Sequence, residues 1–402
     1  MKKVFIIEGK RTAIGNLNGS IKDVSAPNLA ALVIKTVLEN SNVKPENVDQ
    51  VIVGNILTAG QGMGPGRQAS IYAGIPAEIP AYTVNMLCGS GMKTVMIGAN
   101  DIKAGESEIV IAAGVESMSN APYLVPANVR SGVKFGHFQT TDHMIIDGLT
   151  DVFNNYHMGV TAENIAEKHS ISREEQDNFA AESQRKAVNA IKEGRFKEEI
   201  VPVVIKTRKG EVIFDTDEFP REGVTAENLG KLRPAFKKDG SVTAGNASGI
   251  NDGASAILLA SEEAVNKYGL KPVAEIISYE QAGLDPAYMG LGPVPAIKKL
   301  IEKTGLNFDD IDLFELNEAF AAQSLGVIKE LGEIFSKDKE WFMERTNVNG
   351  GAIALGHPIG ASGNRIIVTL INELIKSNKK YGIASLCIGG GMGTAILVKN
   401  LK

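Results

Sequence analysis

Two stretches of this chain, Val48-Asp49-Gln50-Val51-Ile52-Val53-Gly54-Asn55 and Ile311-Asp312-Leu313-Phe314-Glu315-Leu316-Asn317-Glu318, share one pattern: an acidic start, an apolar run and a polar stop. A short apolar run bounded in this way reads as a strand covered on both faces. A second pair follows in the same order. Cys88-Gly89-Ser90-Gly91-Met92-Lys93 parallels Gly360-Ala361-Ser362-Gly363-Asn364-Arg365. Each opens a helix that leads to another apolar strand, at 108–114 and at 383–387. The repeated strand–helix–strand order predicts two similar α/β halves. Unrelated βαβ units would read alike, so the repeat alone leaves that alternative open.

The chain length of 402 residues allows two to three domains at ~150 residues each. Between the repeats, residues 119–249 are polar and irregular and hold His137, His143, His157 and His169. Ser172-Arg173-Glu174-Glu175 has the form of a capping box for a helix running to about Glu193. Such an insertion over an α/β core is a candidate lid or binding domain. Ser25 and Pro27 predict another helix start. The stretch 335–342 reads as a small surface extension.

Composition removes several function classes. Net charge is −5, with 42 Lys and Arg against 47 Asp and Glu, which excludes a global basic field for nucleic acid. Two cysteines and five histidines show no metal-ligand spacing and no HExxH. No run of ~18 apolar residues predicts a membrane span, and the apolar start at 4–7 is too short for a signal peptide. The expectation is a soluble enzyme of the reducing cytoplasm.

The 43 glycines cluster beside Cys, His, Asn and Ser, where several loops could be shaped around a ligand. Cys88 precedes Gly-Ser-Gly at a predicted helix N-terminus, where free N–H groups and the helix dipole favour a thiolate. A buried structural thiol is the alternative. His357 lies between Gly356 and Pro358, as a base, an oxyanion donor or a turn cap. Cys387 opens Cys-Ile-Gly-Gly-Gly-Met-Gly, whose N–H groups could form an oxyanion hole or cradle a phosphate. The spacing is not that of a dinucleotide fingerprint. Asn317 ends a predicted strand, either lining a site or capping the next helix.

Together these motifs resemble the thiolase family, and its short-chain branch in particular. The resemblance covers essentially the whole chain. It is carried by Asn85-Met86-Leu87-Cys88-Gly89-Ser90-Gly91, Gly114-Val115-Glu116-Ser117-Met118-Ser119, Gly245-Asn246-Ala247-Ser248-Gly249-Ile250-Asn251-Asp252-Gly253-Ala254, Asn317-Glu318-Ala319-Phe320 and the loops of His357 and Cys387. It implies the thiolase fold: two α/β halves, each a mixed five-stranded sheet between helices, plus an inserted loop domain. The implied boundaries are 1–118 with 250–270 for the first half, 119–249 for the inserted domain that binds CoA, and 271–402 for the second half.

The implied reaction joins two acetyl-CoA molecules into acetoacetyl-CoA and CoA. Cys88 would carry the acetyl group, His357 would activate it, and Cys387 would deprotonate the second acetyl-CoA. His357 and a water held by Asn317 would surround the enolate oxygen, and the N–H groups of Cys88 and Gly389 would bind the tetrahedral oxygen. His157, Met158, Arg221, Leu232, Ser248, Met289 and Phe320 would contact the CoA thioester. No permanently bound cofactor is implied, and the implied assembly is a homotetramer, a dimer of dimers. Three rivals stand beside this reading: a degradative 3-ketoacyl-CoA thiolase of broader chain length, a ketoacyl synthase relative, and a silent acyl-CoA carrier. Cys387 in place of a second histidine argues against the synthase.

Overall fold

The computed structural model describes residues 2–402. The first half contains β1 (Val4–Thr12), α1 (Ala26–Ser41), β2 (Gln50–Gly54), β3 (Ala81–Val84), α2 (Ser90–Ala104) and β4 (Ile109–Ser117). Two helices of the inserted region follow, α3 (Met158–His169) and α4 (Arg173–Lys192), and then β5 (Asn251–Ser261). The second half contains β6 (Ala274–Gly283), α5 (Pro293–Thr304), β7 (Leu313–Leu316), α6 (Ala321–Phe335), α7 (Ile359–Lys376), β8 (Tyr381–Ile388) and β9 (Met392–Asn400).

The strands run in the order β7-β8-β9-β6-β1-β5-β4-β2-β3. Read outward from the seam between β1 and β6, the halves repeat one topology. The first is β1-β5-β4-β2-β3 and the second is β6-β9-β8-β7. In both, the two long antiparallel pairs come first and a parallel pair follows. The place matching β3 is held in the second half by a single parallel bridge between Phe314 and Thr346. The seam itself is short: Phe5 pairs with Glu275 and Ile6 with Ala274. The segment expected to return to the first half does so, as β5 between β1 and β4.

Strand side chains alternate between faces, so a strand covered on both sides reads as an unbroken apolar run. Val51, Val53, Ile111 and Ala113 pack toward α1. Ile52, Val110 and Ala112 pack toward α2 and α7 on the other face. In the second half Phe314, Ile383 and Leu397 face α5 and α6, while Ala384, Leu386 and Val398 face the central helices. The result is five layers, with α2 and α7 enclosed between the two sheet halves. α7 is accordingly buried along most of its length.

The acidic starts of the repeated pattern have one job. Asp49 Oδ2 accepts from the N–H groups of Glu108 and Ile109, where β4 begins. Asp312 Oδ2 accepts from Lys380 and Tyr381 at the matching point of β8. The second repeated pair meets at the centre. A Cβ on Gly91 would lie 2.8 Å from Asn364 N, and one on Gly363 would lie 2.6 Å from Met92 N. Two glycines at equivalent positions thus let α2 and α7 touch backbone to backbone.

α4 starts with the expected capping box, Ser172 N donating to Glu175 Oε2 and Glu175 N to Ser172 Oγ. The stretch 335–342 lies at the surface, with Ser336 and residues 338–340 exposed, but its aromatic side chains anchor it. Phe342 is fully buried and Phe308 stacks on Phe335 with ring centroids 3.8 Å apart. Trp341 and Phe314 complete that aromatic cluster, which the local sequence alone could not show because two partners come from 308 and 314. No helix among the described residues is long and apolar enough to cross a membrane.

Candidate active site

A cavity of about 620 Å³ opens where the two halves and the inserted region meet. Its wall includes Cys88 from the first half, Cys387, Gly389 and His357 from the second, and His157, Met158, Arg221 and Ser248 from the inserted region. Met289 and Phe320 complete the set of expected residues found there. The volume falls in the ordinary range for small-molecule sites. Arg221 is the one ionic side chain on this wall among the described residues, and its guanidinium lies 5.7 Å from the Phe219 ring.

Cys88 sits on a tight loop ahead of α2. Leu87 is held at φ +48°, a left-handed conformation that a branched side chain seldom adopts. Ser90 secures the loop: its Oγ accepts from Met86 N at 2.8 Å and donates to Leu87 O at 2.7 Å. Gly89 packs against Ile388, so the Cys88 loop rests on the strand that carries Cys387. Burial pushes the Cys88 thiol up to about 11, and the nearby Glu116 charge adds to this. The N–H groups of Gly389 and Cys88 itself pull the other way. Those are the two donors expected at an oxyanion.

His357 is fixed from two sides. Its N–H donates to Asn251 Oδ1 at 3.0 Å, and Gly356, at φ +103°, leaves no room for a side chain against Asn251. Its Nδ1 lies 2.6 Å from Ser362 Oγ, whose own O–H goes to Pro358 O. Ser362 therefore accepts from Nδ1–H, and the Nε2 lone pair is left free. Nε2 is buried without a protein partner. Burial, reinforced by Arg365, lowers the ring's pKa to about 3, so His357 is neutral near pH 7. It is set to take a proton at Nε2.

Cys387 is buried, and burial together with Cys88 pushes its thiol well above the ordinary value. Asn317 follows β7 and does not cap a helix, since α6 starts at Ala321 with Phe320 in the cap position. Both polar atoms of its amide are buried without a protein partner. Asn317 and Leu232 are the two expected residues that the cavity wall does not include. Leu232 is exposed beside Gly245, outside the cavity wall.

Sequence reasoning missed several supporting groups. Phe236 lines the cavity, stacks on His157 at 4.6 Å and meets Phe320 edge-on at 6.1 Å. Gly159 is what admits the Phe236 ring. Asn251 and Glu116 lie inside motifs already noted, yet they read as ordinary strand residues. Their partners are more than fifty positions away in the chain. His157 also caps α3, its Nδ1 accepting from Gly159 N.

A free imidazole nitrogen, two thiols and backbone N–H donors on one cavity wall are what an acyltransferase needs. The thiolase N-terminal domain family matches residues 4–263, and the thiolase C-terminal domain family matches 270–400. An acetyl-CoA acetyltransferase of Pseudomonas aeruginosa is 53% identical over 98% of this chain and 99% of its own. Among solved structures, acetyl-CoA acetyltransferase from Syntrophomonas wolfei superposes with a TM-score of 0.97 at 42% identity, covering all of both chains. Human mitochondrial 3-ketoacyl-CoA thiolase in complex with CoA superposes with a TM-score of 0.93 at 44% identity, over 100% of this chain and 98% of that one. The chain belongs to the thiolase family.

Proposed function

We propose that this enzyme catalyses the reversible Claisen condensation of two acetyl-CoA molecules to acetoacetyl-CoA and CoA. The observation that carries the reading is the free Nε2 of His357 on the same cavity wall as both thiols. Relatives named acetyl-CoA acetyltransferase, about half identical over nearly the whole chain, favour it over a longer-chain specificity.

In the first step His357 Nε2 takes the Cys88 proton, and the thiolate attacks the acetyl carbonyl. The CoA sulfur leaves with the proton of Cys387. Cys387, held as a thiol at rest, becomes the thiolate that the second step requires. It then removes a methyl proton from the second acetyl-CoA. The enolate attacks the acetyl group on Cys88, and the departing Cys88 sulfur recovers its proton from His357. The acyl-enzyme splits one hard step into two. The N–H groups of Cys88 and Gly389 would hold the tetrahedral oxygen, and a water on Asn317 would hold the enolate oxygen, each worth ~10²–10³ in rate. Arg221 suits the phosphate or adenine end of CoA, and Ser248 and Leu232 complete that contact. His157, Met158, Met289 and Phe320 wall the pantetheine and acyl ends.

The reading includes a homotetramer in the cytoplasm, where free cysteines such as Cys88 and Cys387 stay reduced. The deciding experiment is CoA-dependent thiolysis of acetoacetyl-CoA beside a six-carbon 3-ketoacyl-CoA, with wild type and Cys88→Ala. Activity confined to acetoacetyl-CoA and lost in the variant is expected. Equal activity on the six-carbon substrate moves the assignment to a degradative thiolase.

A further inference from the structure

We infer that Glu116 is a positioning residue for the Cys88–His357 pair, tying the loop after β2 to the first turn of α7 and adding negative charge near Cys88 when ionised. The inference rests on the thiolase reading above.

Glu116 is fully buried near the end of β4, and it is absent from the cavity wall, so it does not touch substrate. Four donors converge on its carboxylate. Asn55 Nδ2 donates at 2.7 Å, Leu57 N at 3.0 Å and Ile56 N at 3.2 Å, all from the end of β2 and its loop. Gly360 N donates at 3.0 Å from the first turn of α7, three residues beyond His357. Every partner is a donor, so the pocket is built for a carboxylate; an amide would point hydrogens at hydrogens.

The surrounding backbone leaves no slack. A Cβ on Gly360 would lie 2.7 Å from Glu116 Oε2, and one on Gly114 would lie 3.0 Å from Gly91 Cα in the first turn of α2. The first turns of α2 and α7 therefore both pack against Gly114, two residues before Glu116, and the α7 turn is also bonded to the Glu116 carboxylate. The ionisable groups around Cys88 are Glu116 on β4, Cys387 on β8 and His357 ahead of α7. Burial raises the Glu116 carboxyl to about 7, so at pH 8 it is the one among them that carries charge, and that charge disfavours the Cys88 thiolate. It thereby adds to burial, the main cause, in keeping the resting nucleophile protonated until His357 takes the proton.

The test compares Glu116→Gln and Glu116→Asp with wild type in two assays. One is thiolysis of acetoacetyl-CoA. The other is alkylation by iodoacetamide, with Cys88 read separately by peptide mapping. Gln removes the charge, so Cys88 should alkylate about tenfold faster at pH 8. Misplacement of His357 should lower kcat by up to ~10²-fold with KM unchanged. Asp keeps the charge but cannot span both partners, so kcat should fall while the alkylation rate stays at the wild-type value. Wild-type values of both readouts in both variants overturn the inference. So does a parallel rise in KM and alkylation in both, which marks a loosened fold. If the Gln variant does not fold, the Asp variant decides alone, and an unchanged kcat overturns the inference. A wild type without thiolysis fails the functional reading instead, and the alkylation arm still decides the charge.

Discussion

The state of His357 follows from a single hydroxyl. Because Ser362 gives its hydrogen to Pro358 O, the imidazole must carry its proton on Nδ1, and burial keeps it neutral. This has a thermodynamic signature. The folded pKa of about 3 lies below the ordinary 6.5, so between those values the unfolded chain binds a proton that the folded chain rejects. Stability from this group is fully present above pH 6.5 and is lost as pH falls. Glu116 and Glu315 act in the opposite sense, since burial raises them to about 7 and about 8 and their contribution is lost as pH rises. A His357→Asn variant keeps those two and removes the first. Urea unfolding at pH 7 and pH 4.5 should show wild type losing about 2–3 kcal/mol more than the variant on acidification. Equal losses would show that the ring is already protonated in the folded state.

At the scale of elements, the repeat carries both what the sequence makes legible and what it hides. The Asp49 and Asp312 patterns were readable because a buried strand with both faces covered must be an unbroken apolar run. The glycines of the second pair were readable as unusual, while their purpose was not. Gly91 and Gly363 act on each other across a helix crossing, and no local pattern reports a contact between such distant positions. The reactive residues were legible for a related reason: Cys88, His357 and Cys387 each sit among glycines with little local cause to be core. Asn251, Glu116 and Phe236 carry no such mark, since their work is done on partners supplied by other elements. The crossing also makes a prediction. Gly363→Ala would press a methyl against Met92 N, forcing α2 and α7 apart at a cost of about 1–3 kcal/mol. Its melting temperature should fall and its kcat should fall with it, because Cys88 and His357 ride on those helices. Gly230→Ala, where a Cβ meets nothing within 4 Å, is the control and should melt with wild type.

Across the whole molecule, the cavity draws on all three regions: the halves share the thiols and His357, and residues 119–249 supply His157, Met158 and Arg221. The exterior carries its own information. Between β4 and α3 the chain exposes Tyr123, Val125, Phe135, Phe138, Ile145, Ile146 and Phe153. At the end of the sheet β3 offers an unpaired edge with Tyr82 exposed. Apolar groups and open edges of this kind mark surfaces that another chain covers. Two different surfaces on one protomer are what a dimer of dimers needs, one for each kind of contact. Light scattering on the purified enzyme should therefore give four times the 42.8-kDa chain mass. Phe135→Ser combined with Phe138→Ser removes apolar area from one surface and leaves the β3 edge intact. That variant should give half the wild-type mass, with the remaining pair held through the edge strands. A wild-type mass of one chain would show that neither surface is an interface. A variant that stays at four chains would move the second contact away from the segment that holds Phe135.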